Sequence, residues 1–399
     1  MTFGNGTTGA RGFISAANSV IGVDGSAEID IEVDDINNTY FAIFKNEEKV
    51  HVVSQGEDYS PGNFDYFVDP NPSADNGFGD TVVSLSTGNV VITAPYDDAG
   101  GIDAGAVYLF DGATKELLST LVGSTANDQV GSGGVTALTN GNYVVRSYLW
   151  DNGAATDAGA VTFGDGTTGV SGVVSADNSL VGSTANDDVG RYVTALTNGN
   201  YVVHSPSWDN GAATDAGAVT FGNGITGVSG VVSAANSLVG STADDDEGRD
   251  VTVLTNGNYV VRSQYWDNGA ATDAGAVTFG NGTTGVSGVI SAANSLVGST
   301  ANDKVGNYVT VLTNGNYVVH SSSWDNGAAT NAGAVTFGDG TTGVSGIVSD
   351  TNSLVGSTSN DFVGRGVRAL TNGNYVVRCD LWDNGNVTNA GAVTFGDGT

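Results

Sequence analysis

The carboxylates are the first groups in this chain that could do chemistry. Asp128, Asp187, Asp188, Asp244, Asp245, Asp246, Asp303 and Asp361 recur in segments of the type STANDDVG. Asp151, Asp209, Asp267, Asp325 and Asp383 recur in segments of the type WDNGAATDAG. Hard cations take six or more oxygen ligands, and clustered Asp with backbone carbonyls supplies such a set. Asp187, Asp188, Asp245 and Asp246 are therefore the candidate ligands for Ca²⁺; no other cofactor is indicated. The competing reading is that these side chains cap turns and solvate loops. Trp150, Trp208, Trp266, Trp324 and Trp382 each precede an Asp-Asn pair. An indole can stack on a sugar face while Asp209 or Asp267 bonds the hydroxyls. An aromatic ring found in every copy also suits packing between copies. A third series alternates: Arg146, His204, Arg262, His320, Arg378. It suits pairing with the acidic loops, or an anion site. Catalysis has little to draw on. There are three histidines and no GxSxG, HExxH or Walker pattern. Cys379 stands where the other copies carry Ser147, Ser205, Ser263 and Ser321. Near-identical copies do not bring unlike residues to one spot, as an active site requires. The expectation is a protein without enzymatic activity.

These groups are positioned by a repeat. LTNGNYVV or a near copy begins at Leu138, Leu196, Leu254, Leu312 and Leu370, every 58 residues. The tryptophans and the GAVTF segments at Gly159, Gly217, Gly275, Gly333 and Gly391 keep the same interval. A fixed period marks a repeat architecture. In one unit Val193 to Leu196 reads as strand one, and Asn198-Gly199 as a two-residue hairpin turn with both residues at positive φ. Tyr201 to Ser205 and Gly217 to Phe221 read as strands two and three. Strand four ends at NSLVG, with Ser229 to Ala235 as strand or a short helical turn. Antiparallel order predicts that the STANDDVG and WDNGAATDAG loops are neighbours, with TNGN and the GNGTTG turns at the other end.

Composition agrees with this and removes some classes. The 61 glycines without a collagen period, and frequent Val, Thr, Tyr and Phe, indicate an all-β chain rich in turns. Forty-three acidic residues against twelve basic ones give a net charge of −31. Such a chain repels nucleic acid and anionic lipid. No apolar run is long enough to span a membrane, and the first residues lack the pattern of a secretory signal. One cysteine allows no internal disulfide.

The unit around 78–123 resembles the FG-GAP repeats of integrin-α-like propellers, through Phe78-Gly79, Ala94-Pro95 and DAGAVYLF from Asp103 to Phe110. The later copies resemble a related repeat of large bacterial haemagglutinin-like surface proteins, with Val130-Gly131 and Val189-Gly190 for Phe-Gly. The resemblance implies a propeller; the four strands read in each unit and the count of units make it a seven-bladed β-propeller of four antiparallel strands per blade, with a β-solenoid as the rival. On this reading residues 1–23 are a closing strand, 24–76 a diverged blade and 77–123 an FG-GAP-like blade. Residues 124–181, 182–239, 240–297 and 298–355 are repeat blades, and 356–399 is an incomplete last blade completed by the first residues. The FG-GAP calcium loop between strands one and two is replaced here by TNGN. The implied function is extracellular or cell-surface adhesion or interaction as part of a larger surface protein. Its partner is a protein or glycan ligand, neither nucleic acid nor membrane. The alternative is a carbohydrate-binding or carbohydrate-active propeller, with or without a cation.

Overall fold

The computed structural model describes residues 20, 29–34, 36, 39–44, 49–54 and 65–399. Among them it is all-β, without helices, and has seven sheets. Contacts divide the chain into two compact units, Met1–Val181 with Gly224–Gly230, and Gly182–Asn223 with Val231–Thr399.

In the first unit, Ile29–Asp34, Thr39–Phe44, Lys49–Ser54 and Asp65–Val68 form an antiparallel four-stranded sheet. Alternation sends Phe41, Ile43, Val50, Val52 and Phe67 to one face. That face packs on Phe78, Val82, Val90 and Ile92 of the second sheet. Val20 packs on the other face, against Ala42, Phe44 and Val53. The rest of the expected closing strand lies outside the described residues.

The second unit shows the repeat most clearly. Its fifth sheet runs Asp250–Val253, Tyr259–Ser263, Ala276–Gly280 and Ser295–Val297, all antiparallel. Strands two and three are Val-rich because both their faces are covered. The fourth sheet is Tyr192–Ala195, Tyr201–Ser205, Ala218–Gly222 and Ser237–Val239, and the sixth is Tyr308–Val311, Tyr317–Ser321, Ala334–Gly338 and Ser353–Val355. Leu196, beside the fourth sheet, with its Val202, Val219 and Leu238, meets Tyr259, Val261, Ala276 and Val297 of the fifth. The same face-to-face packing joins the fifth sheet to the sixth. Each fully buried Val or Leu contributes roughly 1.5–3 kcal/mol through the apolar area it hides, so the stack of faces is the main source of stability.

One local expectation is corrected and one open alternative is resolved. The TNGN turn is not a two-residue hairpin. Leu254 N–H donates to Asn258 O at 2.8 Å and Gly257 N–H to Leu254 O at 3.1 Å. Only Gly257 takes positive φ, at 87°. This is a three-residue loop ending in a left-handed glycine. The segment before strand four resolves into a two-residue strand that leaves its own sheet. Gly288–Val289 pairs parallel with Leu238 and Val239 of the preceding repeat. Gly346–Ile347 does the same with Leu296 and Val297.

The seventh sheet has three strands, Gly366–Ala369, Tyr375–Cys379 and Ala392–Gly396. Val393 and Phe395 on the last of these are 73% and 61% exposed, whereas Val277 and Val335 at equivalent places are buried.

Candidate functional site

The two acidic loop sets are neighbours, as the topology predicts, and the contact is a hydrogen-bonded clamp. Asp245 is buried. One of its oxygens accepts from Ser241 N at 2.7 Å and Thr242 N at 2.8 Å. The other accepts from the Thr242 hydroxyl at 2.7 Å and from Asp267 N at 2.9 Å. Asp267 in turn accepts from Asp273 N at 2.8 Å. Asp187 with Asp209, Asp303 with Asp325, Asp361 with Asp383 and Asp128 with Asp151 repeat the arrangement. Burial pushes the Asp187 and Asp303 carboxyls up, and the loop N–H groups pull them down.

The oxygens of Asp187 and Asp245 accept from N–H groups of both loops, which is the turn-capping role that competes with the calcium reading. Asp188 and Asp246 sit at positive φ, 48° and 50°. They pair with Arg191 at 3.2 Å and Arg249 at 3.1 Å. Among the described residues no three His, Cys, Asp or Glu side chains converge as a metal site would need.

The tryptophans answer to packing. Trp150, Trp208, Trp266 and Trp324 are 4–5% exposed. Trp266 lies among Leu196, Val202, Val261 and Ala276, where two sheets meet. Such a ring offers no face to a sugar, which corrects the stacking reading for these four. Trp382 is half-buried on the seventh sheet. Asp209 and Asp267 are half-buried and hold Asp215 N and Asp273 N. They serve loop geometry.

At the other end of each sheet a second latch joins consecutive repeats. Asn198 and Asn200 both donate to Gly282 O at 2.7 Å, while Gly282 N–H donates to Asn258. Asn256 and Asn258 hold Gly340 O in the same way. The sequence placed these turns at one end; it did not show that they grip across the repeat boundary.

The Arg/His series is not a uniform ring. Arg262 pairs with Asp250 at 2.9 Å, a strand residue and not a loop one, and donates to Asn307 O at 2.9 Å. Arg378 pairs with Asp380 at 3.2 Å. His204 and His320 are buried and held neutral, since burial lowers each imidazole to about 4. Thr194 and Thr310 hydroxyls meet their Nε2 atoms at 3.0 and 2.9 Å. Sequence reasoning missed Glu247. It stands where Val130, Val189, Val305 and Val363 stand in other repeats. It is fully buried, and neither carboxyl oxygen has a hydrogen-bond partner by geometry. Burial raises it to about 8, the Asp245 charge adds to this, and the nearby Ser263 hydroxyl acts the other way.

Solved structures that align with the chain include a β-propeller domain and lyases. Virginiamycin B lyase from Staphylococcus aureus aligns at 10% identity over 91% of this chain and 93% of its own, with a TM-score of 0.34. A streptogramin B lyase aligns at 10% identity over 93% and 94%, with a TM-score of 0.34. The WD40 β-propeller domain of Doa1 aligns at 13% identity over 89% and 90%, with a TM-score of 0.31. The expectation that this chain is no enzyme is withdrawn, because lyases are among the structures that align with it over most of their length. No curated protein matches the chain. A family profile described as a repeat of unknown function, DUF5650, matches residues 1–30, 84–132, 137–191, 195–249, 253–307, 311–365 and 369–399. Those segments make up most of the sequence, and the chain belongs to the DUF5650 repeat family.

Proposed function

We propose that these repeats form an adhesion or interaction module that works at the cell surface or outside the cell, on a protein or glycan ligand. The observation that carries this reading is the loop clamp. Five Asp pairs, from Asp128–Asp151 to Asp361–Asp383, hold the same two loops with the same hydrogen bonds. Rigid loops shown in several near-identical copies suit a ligand that is itself repetitive, because linked weak contacts raise avidity. The acidic balance suits an exposed, soluble surface. Kinship of residues 77–123 with FG-GAP repeats, and a seven-bladed ring closed by residues 1–23, belong to the same proposal. The kinship is supported by Phe78-Gly79, Ala94-Pro95 and Asp103 to Phe110, and the closure by the match of TTGARGFISAANSVIG, Thr7 to Gly22, to the strand-four segment TTGVSGVISAANSLVG at 283–298.

The test is an array of glycans and matrix proteins probed with the purified chain, with and without Ca²⁺. Binding that weakens in a chain with fewer repeats is the expected result. Absence of any ligand, or affinity independent of repeat number, would overturn the reading.

A further inference from the structure

One interface between repeats departs from the rest and leaves a hollow. Between the fifth and sixth sheets Arg262 fills the space. Its guanidinium pairs with Asp250, bonds Asn307 O and lies 5.6 Å from the Tyr308 ring centroid. Between the sixth and seventh sheets the residue at that place is the shorter His320, and Gly366 stands where the earlier repeats carry Asp250 and Tyr308. Both changes remove side chain. The result is a cavity of about 380 Å³, lined by Asn307, Tyr308, His320, Ser322, Arg365 and Val367 among others. That lies within the size range of small-molecule sites.

Its polar groups are unlike one another and not self-satisfied. His320 is spent on the wall, with Nδ1 on Gly364 O at 3.0 Å and Nε2 on the Thr310 hydroxyl. Asn307 gives its amide N–H to the Ser322 hydroxyl at 3.0 Å, while its Oδ1 is buried without a partner. Arg365 lies over the Phe362 ring at 3.6 Å. It belongs to none of the ion pairs among the described residues, in a chain with 43 acidic groups. Tyr308 is 67% exposed and offers a flat apolar wall.

We propose that this hollow binds a small acidic sugar of the uronic acid kind. The carboxylate meets Arg365, a sugar oxygen accepts from the Ser322 hydroxyl, and the C–H face of the ring lies on Tyr308. Guanidinium and carboxylate form strong charge-assisted pairs, and amphipathic aromatic rings suit sugar faces. The combination of His320 with Gly366 in the following repeat occurs once in the sequence, and the site stands whether or not the repeats as a whole are adhesive.

The experiment titrates the full chain with sodium glucuronate, by calorimetry and saturation-transfer NMR, beside glucose and sodium acetate. Two variants refill the hollow with side chains that sister repeats already hold: His320→Arg and Gly366→Asp. A third, Arg365→Gln, removes the charge. Glucuronate is expected to bind at least about tenfold tighter than glucose or acetate. All three variants should lose that advantage while their melting temperatures stay near that of the parent chain. No glucuronate binding, acetate binding equally well, or binding unchanged in the refilled variants would overturn the assignment.

Discussion

A single residue shows how the repeat tolerates an exception. Glu247 replaces a core valine, and its neutral form is the one the fold accepts. Its carboxyl titrates near 4.5 when exposed and about 8 in the folded chain. The folded state therefore binds the extra proton between those values, and stability falls as pH rises through that window. It is fully present below about 4.5, and the loss is complete above about 8. Glu247→Val should abolish this slope and raise the melting temperature most at pH 8 to 9. Melting curves of both chains from pH 5 to 9 decide it; parallel curves would show that Glu247 is already ionised in the fold. The carboxylates that looked most like ligands are placed differently. Asp245 and its equivalents accept hydrogen bonds from backbone N–H groups, and that role could not be told from cation binding by residue type alone.

Elements carry the next level of constraint. The glycine that ends strand three is required by the tyrosine that begins strand two. A Cβ at Gly280 would sit 2.1 Å from Cζ of Tyr259, and one at Gly222 or Gly338 would meet Tyr201 or Tyr317 as closely. Gly280→Ala is expected to destabilise by about 1–3 kcal/mol, the usual cost of overpacking a filled core. Chemical denaturation measures it, and Gly280→Ala combined with Tyr259→Leu should recover much of the loss. If the single variant melts like the parent, the ring is not confined as described. Strands two and three were legible in the sequence because short β-branched and aromatic runs such as Tyr259–Val261 leave little choice. The crossing pair Gly288–Val289 was not. Two residues carry no periodicity, and their partner lies in another repeat. The tryptophans were legible as important and ambiguous as to why, since the same ring serves a sugar or a core. The hollow beside His320 was invisible for a related reason: it depends on Gly366, in the following repeat, as much as on the histidine.

At the scale of the whole molecule the open question is what covers the last sheet. Phe395 and Val393 are exposed at positions that elsewhere form sheet-to-sheet cores. If the proposed ring closes in solution, Phe395→Asp places a charge in a buried contact and lowers the melting temperature by several degrees. If the face stays open, the substitution is neutral or improves solubility. A neutral result removes closure and leaves the interaction module in place.

The short parallel pair that steps from each repeat onto its predecessor, together with the asparagine grip on the following turn, has a consequence for how such chains change over generations. Every copy presents the same socket and the same plug. A duplicated or deleted copy therefore meets compatible neighbours on both sides, and recombination can lengthen or shorten the row without redesigning any junction. Interchangeable copies must stay alike at these junctions, and a position that departs, as Glu247 does from the valine of its sister repeats, stands out against them.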